Sequence, residues 1–308
     1  MSAPLGFIGL GALGRAVARR LAATGSRLLV WNRTPGRLAG LDAEEASCPA
    51  EVVTRAETVL LCLRDSEAVW AVTSGQGGLF AGECRGRTVI DLTTNHVDVA
   101  TMLHGLAAKA GAAWLEAPVL GSVVPASRGE LVVLASGEAA VLERARPLLE
   151  RIGNRVFHLG APGAATTMKL ANNLVLAALL AGLAEAAAVA EAGGVPRETA
   201  LDVLAAGAGN SAVLAAKRAK VLGEDYEPHF SAALLYKDLH YLQDLARTLR
   251  RPLPLAASLK ELVALAFPAG LDELDVAVLF PLLRELGRPS GSPGGDAAAT
   301  PPRDAQDP

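Results

Sequence analysis

Gly9-Leu10-Gly11-Ala12-Leu13-Gly14 stands between a short apolar run that begins at Leu5 and a helical run that reaches Ala23. A strand, three glycines spaced G-x-G-x-x-G and a helix, in that order, leave a chain few ways to fold. The first glycine permits a tight turn. The second lets the backbone approach a pyrophosphate, and the third lets the helix pack close on its strand. The helix N-terminus then offers free N–H groups and a partial positive charge to phosphate oxygens. Gly9, Leu10, Gly11, Ala12, Leu13 and Gly14 are therefore expected to hold a dinucleotide cofactor.

Strand and helix signals keep alternating after this unit. Arg27–Trp31, Thr58–Leu63, Thr88–Leu92, Ala113–Glu116, Leu131–Ala135 and Arg155–Leu159 read as strands, with helices from Ser66 and over Glu138–Arg151. Repeated βα units predict a parallel or mostly parallel doubly wound sheet, the Rossmann-type α/β class. Ligands of such sheets lie beyond the carboxyl ends of the strands. The loops at Gly9–Gly14, Asn32–Thr34, Leu63–Asp65 and Thr93–Asn95 all leave such ends, so one crevice should collect them. The second strand ends in Asn32-Arg33-Thr34, where sites that prefer NAD carry an acid for the ribose hydroxyl. Arg33 is instead a fixed cation able to fork onto a phosphate, beside the Thr34 hydroxyl. NADP (NADPH) is the expected cofactor, with NAD less favoured.

From Gly163 the pattern changes to helices only. The first is long, Ala164 to Ala192, opened by Gly160, Pro162 and Gly163 and closed by Gly193-Gly194. Near its start Lys169, Asn172 and Asn173 share a face. An ammonium on so apolar an element needs partners or a task. Further helices are predicted over Arg197–Ala206, Ser211–Val221, Ala232–Arg250, Ala256–Ala266 and Pro281–Leu286. The expected organisation is a cofactor domain over 1–162, an all-helical domain over 163–287 joined by the long helix, and a tail over 288–308. That tail is too rich in Pro, Gly, Ser, Ala and Asp to order itself.

The formal charge of −3 comes without any Lys/Arg cluster, which argues against nucleic acid. Three scattered cysteines fit no metal-ligand spacing and suit a reducing compartment. The five histidines make no metal or triad constellation, and Ser122 has no His and acid at a recognisable spacing. The apolar run Leu174–Ala184 is too short for a bilayer and is bracketed by Asn173 and Glu185. A soluble cytoplasmic protein with a small-molecule substrate and no membrane partner is expected.

Four ordered blocks, Gly6 to Gly14, Glu116-Ala117-Pro118-Val119-Leu120-Gly121-Ser122, Gly160 to Asn173 and Lys237-Asp238-Leu239, together resemble the β-hydroxyacid (3-hydroxyisobutyrate) dehydrogenase family. Val30-Trp31-Asn32-Arg33-Thr34, Gly129 to Ala135 and Leu271-Asp272-Glu273-Leu274-Asp275 resemble its NADPH-dependent glyoxylate and succinic semialdehyde reductase branch. The resemblance covers Leu5 to Leu286. It implies that Lys169 is the catalytic general acid/base, with Asn173 orienting the lysine or the substrate hydroxyl. It implies that Thr94 and Lys237 contact the cofactor and that Gly121, Ser122 and Asn173 help hold the substrate; Leu63, in a loop at a strand's carboxyl end, is expected at the cofactor, and Leu120 in the substrate loop. It also implies a homodimer or homotetramer. Leu120 departs from the family's serine, so the carboxylate would lean on Ser122 and backbone groups, or the substrate would be less polar. Arg64 stands where a proline is usual and is expected to be a solvated turn residue. Asp238 is expected as an ion-pair partner or helix surface charge, and His240 and Tyr241 as packing or rim residues. Two alternatives stand beside this reading: an imine reductase, favoured by Leu120 and opposed by Lys169, and a non-catalytic NADP-binding scaffold, opposed by the Lys169-Asn172-Asn173 set.

Overall fold

The computed structural model describes residues 3–286; the tail expected to lack order lies outside them. β1 (Leu5–Ile8) enters α1 (Ala12–Ala23) through the glycine turn. β2 (Leu28–Trp31), β3 (Glu44–Glu45), α2 (Pro49–Arg55), β4 (Thr58–Leu61), α3 (Ser66–Thr73), β5 (Thr88–Asp91), α4 (Val97–Lys109) and β6 (Ala113–Glu116) follow. The six strands pair in the order β3-β2-β1-β4-β5-β6, all parallel. Strand order reverses between β1 and β4, which makes the crevice there the place where such sheets take ligands.

Both faces of this sheet are buried, so its strands read as unbroken apolar runs. Phe7, Val30, Leu60, Ile90 and Leu115 pack with Val17 and Leu21 of α1. Ile8, Leu29, Val59, Leu61 and Val89 face the other way, onto Val52, Val69 and Leu103 of α2, α3 and α4.

The alternation beyond Glu116 predicts more of the same sheet, and the structure differs. β7 (Val119–Leu120), β8 (Leu131–Ala135) and β9 (Gly153–His158), connected by α5 (Val123–Arg128) and α6 (Ala139–Leu149), form a separate three-stranded sheet. β7 runs antiparallel to β8, and β9 parallel to it. The chain runs straight on past Pro118, which has no N–H to give to a ladder, in one register against β8: the Leu134 N–H donates to the Pro118 carbonyl, and Val119 and Leu120 face Val133 and Val132. One antiparallel bridge between Glu116 and Ser136 joins the two sheets. Helical and strand periods alone do not report which ladder a strand joins.

The rest is helical: α7 (Ala164–Ala192), α8 (Arg197–Ala206), α9 (Ala212–Gly223), α10 (Ala232–Thr248), α11 (Pro254–Ala264), a short 3-10 turn at Val276–Val278 and α12 (Leu279–Leu286). α12 starts two residues before Pro281, which sits in the first turn where its missing N–H costs little. The 29 residues of α7 span roughly 44 Å at 1.5 Å each. Its Ala177, Leu180, Leu183, Ala184 and Ala187 form the centre of the helical core, against Leu201, Leu235, Leu239, Val263 and Phe280. By length and composition α7 would also suit a membrane span; in this fold its apolar residues are the middle of a helix bundle. On its open side Met168, Val175 and Val189 remain exposed at 46, 58 and 74%.

Candidate active site

The glycine turn is built by close approach. Gly9 has φ +100°, and a Cβ there would lie 2.3 Å from the Cys62 carbonyl oxygen. A Cβ on Gly14 would lie 2.1 Å from the Gly9 carbonyl oxygen. Gly11 is different: its Cβ would meet nothing within 4 Å. Gly11 is also the N-cap of α1, which no side chain caps. Open space directly over uncapped helix N–H groups is what a pyrophosphate requires. Gly11 and Ala12 are exposed and Leu13 half-buried beside it.

Asn32, expected at the cofactor, is engaged with the backbone. Its Oδ1 accepts from the Leu10 N–H at 2.8 Å and its Nδ2 donates to the Thr34 carbonyl at 2.8 Å. It fastens the end of β2 to the glycine turn. Arg33 and Thr34 are left exposed. Arg33 lines a shallow depression with Trp31, Asn32, Pro35, Glu45, Ala46 and Ser47.

The ends of β4 and β5 are laced together by buried polar groups of the loops expected to line the crevice and of Asp91 and Ser66 beside them. Asp91 accepts from the Thr93 N–H at 2.9 Å and from Asn95 Nδ2 at 2.7 Å. Ser66 Oγ donates to Asn95 Oδ1 at 3.1 Å and accepts from the His96 N–H at 2.8 Å. The Leu63 N–H donates to Thr93 Oγ1 at 3.0 Å. Burial pushes the Asp91 carboxyl up to about 6, against the lowering hydrogen bonds from Thr93 and Asn95. The only earlier signal was an acid closing an otherwise apolar strand.

Across the crevice α7 and α10 bring Lys169, Asn172, Asn173, Lys237 and Asp238 together. Lys169 is partly exposed as a residue, but its amine sits deep enough for burial to lower its pKa. Asp238 opposes that fall and Lys237 adds to it. Asn173 is buried, donating from Nδ2 to Asp238 Oδ2 at 2.6 Å and accepting from Asn172 Nδ2 at 3.3 Å. Its amide is therefore engaged with Asp238, a partner 65 residues away. Asp238 is no surface charge: it is 2% exposed and ion-paired with Lys237 at 2.9 Å. Lys237 in turn donates to the Thr94 carbonyl at 2.8 Å and lies 4.9 Å from the Tyr241 ring centroid. Tyr241 stacks edge-on against His96, while His240 is exposed and 3.6 Å from Asp244.

In the substrate loop the Ser122 hydroxyl is already engaged. Ser122 donates its hydroxyl to the His229 carbonyl at 2.7 Å, so that proton is committed to the helical domain. Gly121 has φ +105°, a conformation that favours glycine, and a Cβ there would press on the Leu131 side chain at 2.9 Å. The N–H groups at the start of α5 have no side-chain cap, and Leu120 is half-buried beside them. Asp275, fully buried, holds the facing turn by accepting from Lys217 Nζ and from the His229 and Phe230 N–H groups. Arg64 is not merely solvated. Its guanidinium pairs with Glu273 through contacts of 2.7 and 3.3 Å, another bridge between the domains.

Residues 4–160 match the family model described as the NAD binding domain of 6-phosphogluconate dehydrogenase, and residues 163–283 that described as NAD-binding of NADP-dependent 3-hydroxyisobutyrate dehydrogenase. Glyoxylate/succinic semialdehyde reductase 1 of Arabidopsis thaliana is 30% identical over 278 residues, 89% of this chain and 96% of that one. The crystal structure of 3-hydroxyisobutyrate dehydrogenase from Salmonella typhimurium aligns with a TM-score of 0.83 at 27% identity, over 91% of this chain and 100% of that one. The structure of Psf3 in complex with NADP+ and 2-OPP aligns at 0.85 with 29% identity, over 91 and 99% of the two chains.

Proposed function

The chain belongs to the 3-hydroxyisobutyrate dehydrogenase family of NAD(P)-dependent hydroxyacid dehydrogenases and reductases, and from that premise we propose that it is an NADPH-dependent reductase of small aldehyde or keto acids with Lys169 as general acid. One observation carries the reading. Lys169 shares the first turns of α7 with Asn173, whose amide is bonded to Asp238; Asp238 pairs with Lys237, and Lys237 is bonded to the Thr94 carbonyl just past the carboxyl end of β5. The name of the Arabidopsis relative supports the substrate class, and NADP+ in the Psf3 structure supports the cofactor.

NADPH, when bound along Gly9–Gly14, supplies the hydride. The chain supplies placement and a proton. As the carbonyl carbon is reduced, negative charge grows on its oxygen, and Lys169 Nζ donates a proton there; in the reverse direction the neutral amine takes it back. Burial lowers the pKa of that amine, which eases release of its proton. Asp238 holds both Asn173 and Lys237, and its charge and that of Lys237 act on the amine. In this reading the N–H groups of Gly121 and Ser122 take the substrate carboxylate, and Arg33 with Thr34 takes the 2′-phosphate of the cofactor. Leu120 contributes no donor to the substrate, which favours, as a second reading, a less polar acceptor such as a cyclic imine. We also infer that a second copy covers Met168, Val175 and Val189, since an apolar stripe of this length on a core helix is characteristic of self-association.

A panel of aldehyde acids, keto acids and cyclic imines with NADPH tests the assignment. Turnover of glyoxylate or succinic semialdehyde is expected; turnover of imines alone would replace the first reading by the second, and binding of NADPH without any turnover would refute both. Lys169→Ala should lower kcat by about 10²-fold or more while leaving the NADPH Kd within about twofold; unchanged turnover would remove the mechanism. Arg33→Asp should shift the NADP-to-NAD ratio of kcat/KM by about tenfold or more towards NAD, and an unmoved ratio would refute the cofactor preference. Val175→Lys should lower the mass measured by light scattering to that of one chain; an unaltered assembly would place the interface elsewhere.

A further inference from the structure

We propose that Glu116 is a positioning residue for the amine of Lys169, acting through the first turn of α7. The proposal rests on the reading of Lys169 given above. Glu116 ends β6 in the cofactor domain and is 1% exposed. Its Oε2 accepts from the Gly163 N–H at 2.8 Å and from Ser136 Oγ at 2.7 Å, and its Oε1 accepts from the Thr166 N–H at 2.6 Å. Ser136 Oγ accepts in turn from the Ala165 N–H at 3.3 Å. Three N–H groups at the start of α7 thus end on two side chains from the other domain.

Helices are ordinarily capped by their own N-cap side chain. Here the N-cap is Gly163, at φ +88°, and a Cβ would lie 3.0 Å from Thr101 Oγ1 and 3.1 Å from Val97 Cγ1. A side chain there would be crowded and held at a strained positive φ, and the cap comes instead from 47 and 50 residues upstream. A carboxylate at a helix N-terminus is also favoured by the helix dipole, and its bonds are charge-assisted. Lys169 lies three residues past Thr166, just beyond the capped turn. The two Glu116 oxygens grip donors three residues apart, which fixes both the axial position and the rotation of the helix carrying the amine. A local cap would stabilise α7 without saying where it points; this one registers it against the sheet whose strand ends hold the cofactor crevice.

Glu116→Gln keeps the size but turns one oxygen into an N–H₂ that faces either the Thr166 or the Gly163 N–H. Expected are a fall in kcat of about tenfold or more, because small misplacements at the reacting centre are costly, and an NADPH Kd within about twofold of the parent. A purely structural cap would lower the melting temperature and leave kcat unchanged below it. The second readout needs no turnover: modification of Lys169 by trinitrobenzenesulfonate, followed against pH by mass spectrometry. Its midpoint should move upwards in Glu116→Gln, as the amine leaves its desolvated place. Unchanged kcat and an unchanged midpoint in a folded variant would overturn the proposal. If Glu116→Gln does not fold, Glu116→Asp and Ser136→Ala, each weakening one arm of the cap, are read in the same two ways. Should the parent turn over no substrate, the reductase reading fails by itself and the labelling midpoint still decides the role of Glu116.

Discussion

A buried carboxylate, Asp238, holds two donors that would otherwise go their own ways. One is the amide of Asn173 on α7, the other the ammonium of Lys237 on its own helix, α10. Lys237 carries the chain of contacts onward to the Thr94 carbonyl at the end of β5. Helix, helix and sheet are thereby linked through one charge. Deleting one partner of a buried pair leaves the other uncompensated, at a cost of about 3–5 kcal/mol. Such an arrangement tolerates little rearrangement, which suits a place where reacting groups from two domains must meet.

The same charge pair also sets the electrical surroundings of Lys169. Burial lowers the pKa of that amine, Asp238 resists the fall and Lys237 assists it. Because Asp238 is already matched by Lys237, its pull on Lys169 is partly spent. Other bridges span the domains nearby: Ser122 to His229, and Arg64 to Glu273. The first is sheltered and joins the substrate loop to the turn that Asp275 organises. The second is solvent-exposed on both sides, with side-chain exposures of 54 and 62%, and contributes little by comparison.

What the sequence made legible was local. The glycine spacing, the Lys169 face of α7 and the change from alternating to helical pattern at Gly163 are each contained in a short stretch, and the structure carries each of them. The bounds of α7 and α8 were legible because Gly and Pro punctuate them. What was not legible depends on partners far away in the chain. The ion-pair role expected of Asp238 is met by Lys237, but nothing near it in the chain announces Asn173, 65 residues off. Glu116 reads as the end of a strand entering a loop motif, because its donors lie 47 and 50 residues later. The motifs that suggest Ser122 and Asn32 as ligand contacts do not show that their side chains are also bonded to backbone, Ser122 to the His229 carbonyl and Asn32 to the Leu10 N–H and the Thr34 carbonyl. The second sheet was hidden for a related reason: strand periodicity is the same whichever neighbour a strand finds.

The three glycines of the first turn answer to different masters. At positions 9 and 14 a methyl group would strike backbone oxygen, so folding itself forbids one. Gly11 has an ordinary extended conformation, with φ −64° and ψ −177°, and empty space in front of it. Any amino acid could stand there without troubling the protein, yet its side chain would occupy the room that a phosphate needs. Smallness at that one position serves the guest rather than the host, so stability and cofactor affinity can be separated by a single methyl group.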